Sequence, residues 1–215
     1  MRLPRSIRLG LKRLAYGGLG RGADGARVVA WLAPRPGMHV ADIGSGFGDF
    51  AFRFADAVGG DGVVYAVDVD TDLLDEIAHG AARRGVANVR VHEAGPDEAG
   101  LPGPVDLAFF SASFHHLPDR EAYLTALRSG LRPGARAAIL ETRPTRWTSL
   151  MGGHATDPGE VRRIMTAAGY RPTASAELVR FSTIQTFEPA EPAKPGGKRG
   201  SAPGLTDVSR GARVR

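Results

Sequence analysis

Between residues 38 and 187, apolar and largely β-branched runs follow glycine or proline breaks, and each gives way to an amphipathic stretch. The pattern predicts strands near His39–Ile43, Val63–Asp68, Val89–His92, Leu107–Ser111 and Ala135–Glu141. Helices are expected near Asp49–Val58, Asp72–Arg84, Asp119–Leu131 and Pro158–Ala168. Strands alternating with helices build a parallel sheet covered on both faces. Two last extended runs, Arg171–Leu178 and Thr183–Phe187, have only a short link between them. They must pair antiparallel, because a parallel return needs a crossover of about a dozen residues or more. Upstream, Leu3, Ile7, Leu11 and Leu14 recur at helical spacing among Arg5, Arg8, Lys12 and Arg13, predicting a short basic amphipathic helix. Gly17, Gly18, Gly20, Gly22 and Gly25 are expected to break it before a second helix, Ala26–Leu32, which Pro34 and Pro36 terminate. From Glu188 the chain is rich in Pro, Gly, Ala and charge, with almost nothing large and apolar, and disorder is expected. The organisation is therefore a basic N-terminal helical segment (1–35), one α/β domain (36–187) and a disordered basic Pro/Gly-rich tail (188–215).

Composition narrows the chemistry. None of the 215 residues is cysteine, which excludes disulfides, thiolate nucleophiles and Cys-ligated zinc or iron–sulfur sites. Apolar runs such as Leu107–Ser113 are far shorter than the roughly 20 residues of a membrane span, and the basic N-terminus lacks a secretory apolar stretch. A cytoplasmic protein is expected. The formal charge of +5 is unevenly placed: residues 1–35 carry +7 and residues 188–215 carry +3, which leaves the domain net acidic. Nucleic acid is thus a possible partner through the basic ends only, and oligomeric state is not legible.

The most informative segment is VADIGSGFGDF, residues 40–50, where an apolar strand runs into Gly44, Gly46 and Gly48 and then into a helix. Glycines let the backbone turn sharply and let a ligand lie against bare main chain. Asp68 ends the next strand, twenty residues after Gly48, and places a carboxylate that can accept bonds from two ribose hydroxyls at the same edge of the sheet. A dinucleotide fingerprint, G-x-G-x-x-G, would put its third glycine at Asp49, an acid that repels a pyrophosphate. The spacing is instead G-x-G-x-G with Asp42 just before it. Carboxylates on both sides of the loop suit a ligand carrying an ammonium and a sulfonium, and S-adenosyl-L-methionine is the expected cofactor.

This segment resembles motif I of the class I S-adenosylmethionine-dependent methyltransferases. GGDGVVYAVDVD, NVRVHEAGPDEAGLP, VDLAFFSASFHHL, LRPGARAAILE and AAGYRP are similar to the segments that follow it there, so the likeness covers about residues 36–187. It implies a Rossmann-like, doubly wound, mostly parallel seven-stranded sheet with the last strand antiparallel and helices on both faces. It also implies positions: Gly44, Ser45 and Gly46 along the methionine part, Asp68 on the ribose, Val69 on the adenine, Gly95 and Pro96 flanking the purine, and Ser111 in the same cleft. Two residues depart from the pattern. Gly95 stands where many members carry an acid for the adenine amino group, with Asp97 two residues late, and Ala135 replaces a common glycine.

Methyl transfer is a displacement at a carbon already activated by its cationic sulfur, so alignment and exclusion of water come first. A protonated nucleophile still benefits from a general base. His115 and His116 lie just past the fourth strand and are the catalytic candidates, and His154 in MGGHATDP is a candidate on the acceptor side. Adjacent histidines point about 100° apart on a helix, so no metal site is expected. Trp31 and Trp147 read as packing residues. The expected function is methyl transfer to a small-molecule acceptor. An RNA or protein methyltransferase recruited by the basic arm, a non-catalytic cofactor-binding module and a nucleotide-dependent oxidoreductase are the alternatives.

Overall fold

The computed structural model describes residues 7, 9, 10, 22–95, 97–145 and 155–190. Of the basic helix expected over Leu3–Leu14, Ile7, Leu9 and Gly10 are described and helical; the rest of it, Pro96, Trp147, His154 and the tail from residue 191 lie outside the described residues. In chain order the elements are α1 (Gly22–Leu32), β1 (His39–Ile43), α2 (Asp49–Val58), β2 (Val63–Asp68), α3 (Thr71–Arg84), β3 (Val89–Glu93) and β4 (Val105–Ser111). There follow α4 (Arg120–Leu127), β5 (Leu131–Thr142), α5 (Pro158–Ala167), β6 (Tyr170–Ala176) and β7 (Ser182–Pro189), with a 3-10 turn at Phe114–His116 between β4 and α4.

The seven strands form one sheet in the order β3-β2-β1-β4-β5-β7-β6. β7 runs antiparallel to both of its neighbours, and the other pairings are parallel. The expected fold class is thereby found, with the reversed strand inserted inside the sheet instead of at its edge. Connections leave β1 toward β2 on one side and reach β4 on the other, so the strand order reverses at β1. In open α/β sheets, ligands bind in the crevice outside the carboxyl ends at this reversal.

Side chains alternate across each strand, and two apolar layers result. Val40, Phe109, Ala138 and Ile184 pack beneath α1, α2 and α3 with Val28, Phe54 and Ile77. Ala41, Phe110, Ile139 and Phe187 pack beneath α4 and α5 with Tyr123, Leu124, Val161 and Met165. Phe50, Phe54 and Phe109 interlock edge-to-face or tilted, with ring centroids 4.8 to 6.2 Å apart. Complete burial of each such ring is worth roughly 1.5–3 kcal/mol. α2 stops where Gly59 adopts φ 67°, and the Asn88 side chain donates to the carbonyls of Ala55 and Gly59 at the helix end.

Among the boundaries that differ from the sequence expectation, packing accounts for those of α1, α4 and β7. Gly22 and Gly25 lie inside α1 and do not break the chain there, because Gly25 is buried on the face that carries Val28 and Leu32. The helix expected through Leu131 ends at Leu127 in a 3-10 turn, and β5 already begins at Leu131, opposite Val105. β7 continues to Pro189, with Glu188 and Pro189 paired to Arg171 and Tyr170, so residues given to the tail complete the sheet. Among the described residues no helix is long and apolar enough to cross a membrane.

Candidate functional site

At the carboxyl end of β1 the three glycines of the loop all have positive φ, yet each answers a different demand. A Cβ on Gly44 (φ 72°) would lie 2.4 Å from Cβ of Ser113, so this residue is small to admit the chain leaving β4. Gly48 (φ 78°) precedes α2 and would push a Cβ to 2.9 Å from Ile77 and 3.2 Å from Phe52, so it serves the contact between α2 and α3. Gly46 (φ 55°) faces open space. Of the three, it is the one at which bare backbone is left accessible to a ligand. The amides of Gly44 and Ser45 donate to the Val67 carbonyl at 2.8 and 3.0 Å, which fastens the loop to β2.

Asp68 closes the far side. Its Oδ2 accepts the Gly46 amide at 2.9 Å and its Oδ1 accepts the Asp70 amide at 3.0 Å. Burial raises its pKa, while hydrogen bonds from the Gly46, Asp70 and Val69 amides pull the other way. Beyond these amides the carboxylate keeps acceptor capacity, which suits a ribose hydroxyl. Val69 follows with 63% of its surface uncovered, an apolar side chain standing at a polar edge. The Ala94 amide donates to the Asp68 carbonyl at 3.0 Å, which brings Gly95 alongside. Asp97 is exposed in the same connection.

Asp42 is not an exposed member of this rim. It is 2% exposed, on the strand face shared with Val40. There it lies beneath the start of α2 and accepts the Ala51 amide. Burial, reinforced by the charge of Asp68, pushes its pKa up to about 7. Among the described residues, its Oδ2 and the buried Oγ of Ser45 have no hydrogen-bond partner. Two orphaned polar atoms under a bare glycine backbone, a ribose-type carboxylate and an uncovered valine fit a nucleoside with a cationic amino-acid portion. Gly44, Ser45, Gly46, Asp68 and Val69 would hold it.

The exit from β4 forms the other wall. Ser111 ends the strand, opposite Leu140 of β5. Ala112 then takes φ 51°, a left-handed conformation that costs a non-glycine residue about 1–3 kcal/mol and concentrates at functional sites. The turn delivers Ser113 Oγ to the Ile43 carbonyl at 2.6 Å and starts the 3-10 turn that carries both histidines. Nδ1 of His115 lies 2.8 Å from Oε2 of Glu141, which is 3% exposed near the end of β5. The His116 ring packs against His115, centroids 4.1 Å apart, and is exposed. Sequence reading assigned no part in catalysis to Ser113, Ala112 or Glu141, since the contacts that involve them span tens of residues. The positive φ at Ala112 leaves no sequence signal at all.

A sheet in this order with one reversed strand, a glycine loop after β1 and an acid ending β2 is the arrangement implied by the resemblance to the class I S-adenosylmethionine-dependent methyltransferases. Residues 40–134 match the methyltransferase domain family. A 2-phytyl-1,4-naphtoquinone methyltransferase of Synechococcus elongatus is 36% identical over 116 residues, covering 53% of this chain and 49% of the relative. A nocamycin O-methyltransferase of Saccharothrix syringae is 32% identical over 114 residues, covering 53% and 41%. The chain thus matches about half the length of these curated relatives or less. A SAM-dependent methyltransferase from Aquifex aeolicus superposes with TM-score 0.68 at 25% identity, covering 86% of this chain and 98% of that one. The magnesium protoporphyrin IX methyltransferase of Synechocystis, solved with bound SAH, gives 0.66 at 19% identity, covering 86% and 95%.

Proposed function

We propose that the chain transfers a methyl group from S-adenosyl-L-methionine to a small-molecule acceptor. The carrying observation is the pairing of Gly46 with Asp68: a glycine with open space where a Cβ would stand donates its amide to a carboxylate that keeps further acceptor capacity. The names of the curated relatives, a naphthoquinone methyltransferase and a nocamycin O-methyltransferase, support an acceptor of low molecular weight. When bound, the cofactor supplies a methyl group on a cationic sulfur. The chain's own residues bind and orient. The loop backbone and Ser45 hold the amino-acid portion, Asp68 the ribose, and Val69 with Gly95 the base. The histidines of the turn after β4 stand where the acceptor would meet the methyl group, and one of them takes the acceptor's proton.

Calorimetric titration tests the cofactor half of this reading. S-adenosylmethionine and its demethylated product, S-adenosylhomocysteine, are expected to bind at micromolar concentrations. Asp68→Ala is expected to weaken both by about 1.5–3 kcal/mol, the range for hydrogen bonds to a charged group. Titration without heat for either compound would refute the assignment.

A further inference from the structure

We infer that the cleft between β5, β7 and the start of α5 seats the methyl acceptor, that Phe181 and Thr183 bind it there, and that the acceptor is a neutral ring compound bearing a carbonyl. The inference rests on the methyl-transfer reading above and deepens it by assigning acceptor-binding residues and an acceptor class.

Buried polar atoms without a partner are rare, and each needs a cause. Among the described residues they gather in two places: at Asp42 and Ser45 beneath the glycine loop, and at Glu141, Ser182 and Thr183 where β5 and β7 meet at the rim. The first place is the cofactor cradle. At the second, Thr183 is 7% exposed and lines a cleft of about 860 Å³, the size of a small-molecule site. Its Oγ1 has no partner, although Glu141 stands directly opposite on β5. Phe181 lines the same cleft. It is the third residue of a turn closed by the Ser182 amide on the Val179 carbonyl at 3.0 Å, and its φ is 61°. Glycine adopts that conformation freely and phenylalanine only at a cost. The Arg143 amide fastens the turn by donating to the Phe181 carbonyl at 2.7 Å. Strain of this kind concentrates where function requires it. Here it sets a partly buried ring in the cleft wall with Pro144 and Pro158.

The charged groups of the cleft are already engaged. Asp157 caps α5 by accepting the Gly159 and Glu160 amides at 2.8 and 3.2 Å, and Arg143 pairs with Glu177. A charged ligand would therefore give up its water without meeting an uncommitted opposite charge among the described residues, whereas a neutral ring gains the faces of Phe181 and the two prolines. A hydroxyl always has a proton to place, so Thr183 calls for an acceptor, and a carbonyl is a neutral one. Hydroxyl and methyl of a threonine exchange places between staggered rotamers, which turns Oγ1 toward the ligand. Gln185, two residues along the same strand face, donates to the Pro158 carbonyl at 3.1 Å and holds the start of α5 against β7. Adjacent strands lie about 4.8 Å apart, which puts β7 about 14 Å from β1 along the rim, with β4 and β5 between them. A molecule resting on Phe181 must extend toward the glycine loop, so the acceptor is a fused or elongated ring system.

The full chain, labelled with 13C in phenylalanine rings and threonine methyls and saturated with S-adenosylhomocysteine, provides the test. It is titrated in the NMR tube with 4-chromanone, a bicyclic ketone, with chroman, which lacks the carbonyl, and with chromone-2-carboxylate, which is anionic. 4-Chromanone is expected to move the Phe181 and Thr183 signals, to bind about fivefold more tightly than chroman, and to bind more tightly than the anion. Thr183→Val should abolish the preference for the ketone while holding or raising Tm, because it removes an orphaned hydroxyl from a buried strand. Phe181→Gly should weaken 4-chromanone about tenfold. Its Tm should stay within about 2 °C, since relief of strain offsets the lost ring contacts. A ketone that moves neither signal overturns the inference, and the wild-type titration decides this even if a variant fails to fold. So does tighter binding of the carboxylate, or a pair of variants that lose Tm at unchanged ketone affinity and preference. Calorimetry on the same sample separates the two readings, because absence of S-adenosylhomocysteine binding refutes the methyl-transfer reading while leaving the ketone titration measurable.

Discussion

Asp42 is a carboxyl group placed beyond the reach of water and next to another acid, and both circumstances hold its pKa near 7, well above the carboxylate norm of 3.8. The folded state therefore prefers it protonated. Stability from this group is fully present below about pH 4 and is lost as pH rises through about 7. A cation seated above the loop reverses the preference, so binding releases a proton. Affinity for S-adenosylmethionine is expected to rise between pH 6 and 8 and to level off above, which calorimetry in buffers of different ionisation enthalpy measures. Asp42→Asn should weaken binding at pH 8 while stabilising the ligand-free fold there by roughly 1–2 kcal/mol, or about 3–6 °C in Tm. At pH 4 the stability gain should vanish.

α2 depends on the glycine before it. Gly48 combines a left-handed φ of 78° with close approach to Ile77 and Phe52, whereas Gly46 has φ 55° and nothing near. Gly48→Ala should therefore cost about 2–4 kcal/mol in urea unfolding, from backbone strain plus overpacking of α2 on α3. Gly46→Ala should cost only about 1–2 kcal/mol of stability and fail chiefly in cofactor titration, because its methyl group projects into the cleft. Much at this scale was legible beforehand. β1, α2 and β2 begin and end where expected, since glycine breaks bracket strongly patterned runs. α4 and α1 were misjudged at their ends, where packing and not local pattern decides. Asp68 was readable from its distance to the loop. Glu141 was not, because 26 residues and two elements separate it from His115.

Across the whole molecule, charge and site are segregated. The first 35 residues carry +7, while Asp68 stands at the described cleft and Asp42 and Glu141 are buried near it. Deleting residues 1–20 is expected to weaken retention on heparin and leave S-adenosylhomocysteine affinity unchanged; a parallel loss of both would join the arm to the cleft. The glycine loop and the histidine pair also draw on opposite regions of the chain, the loop on β1 and β2 and the pair on the turn after β4, with Glu141 of β5 bonded to His115. β7 is made after every other strand, yet it lies between β5 and β6 and pairs with Glu141's own segment. During synthesis the rim of β5 stays bare until residues 182–189 have left the ribosome, and an interrupted translation product would display that unprotected strand to its neighbours. The glycine loop can thus mature early on the nascent chain, whereas the half that bears the histidine pair is sealed only by the last strand to emerge.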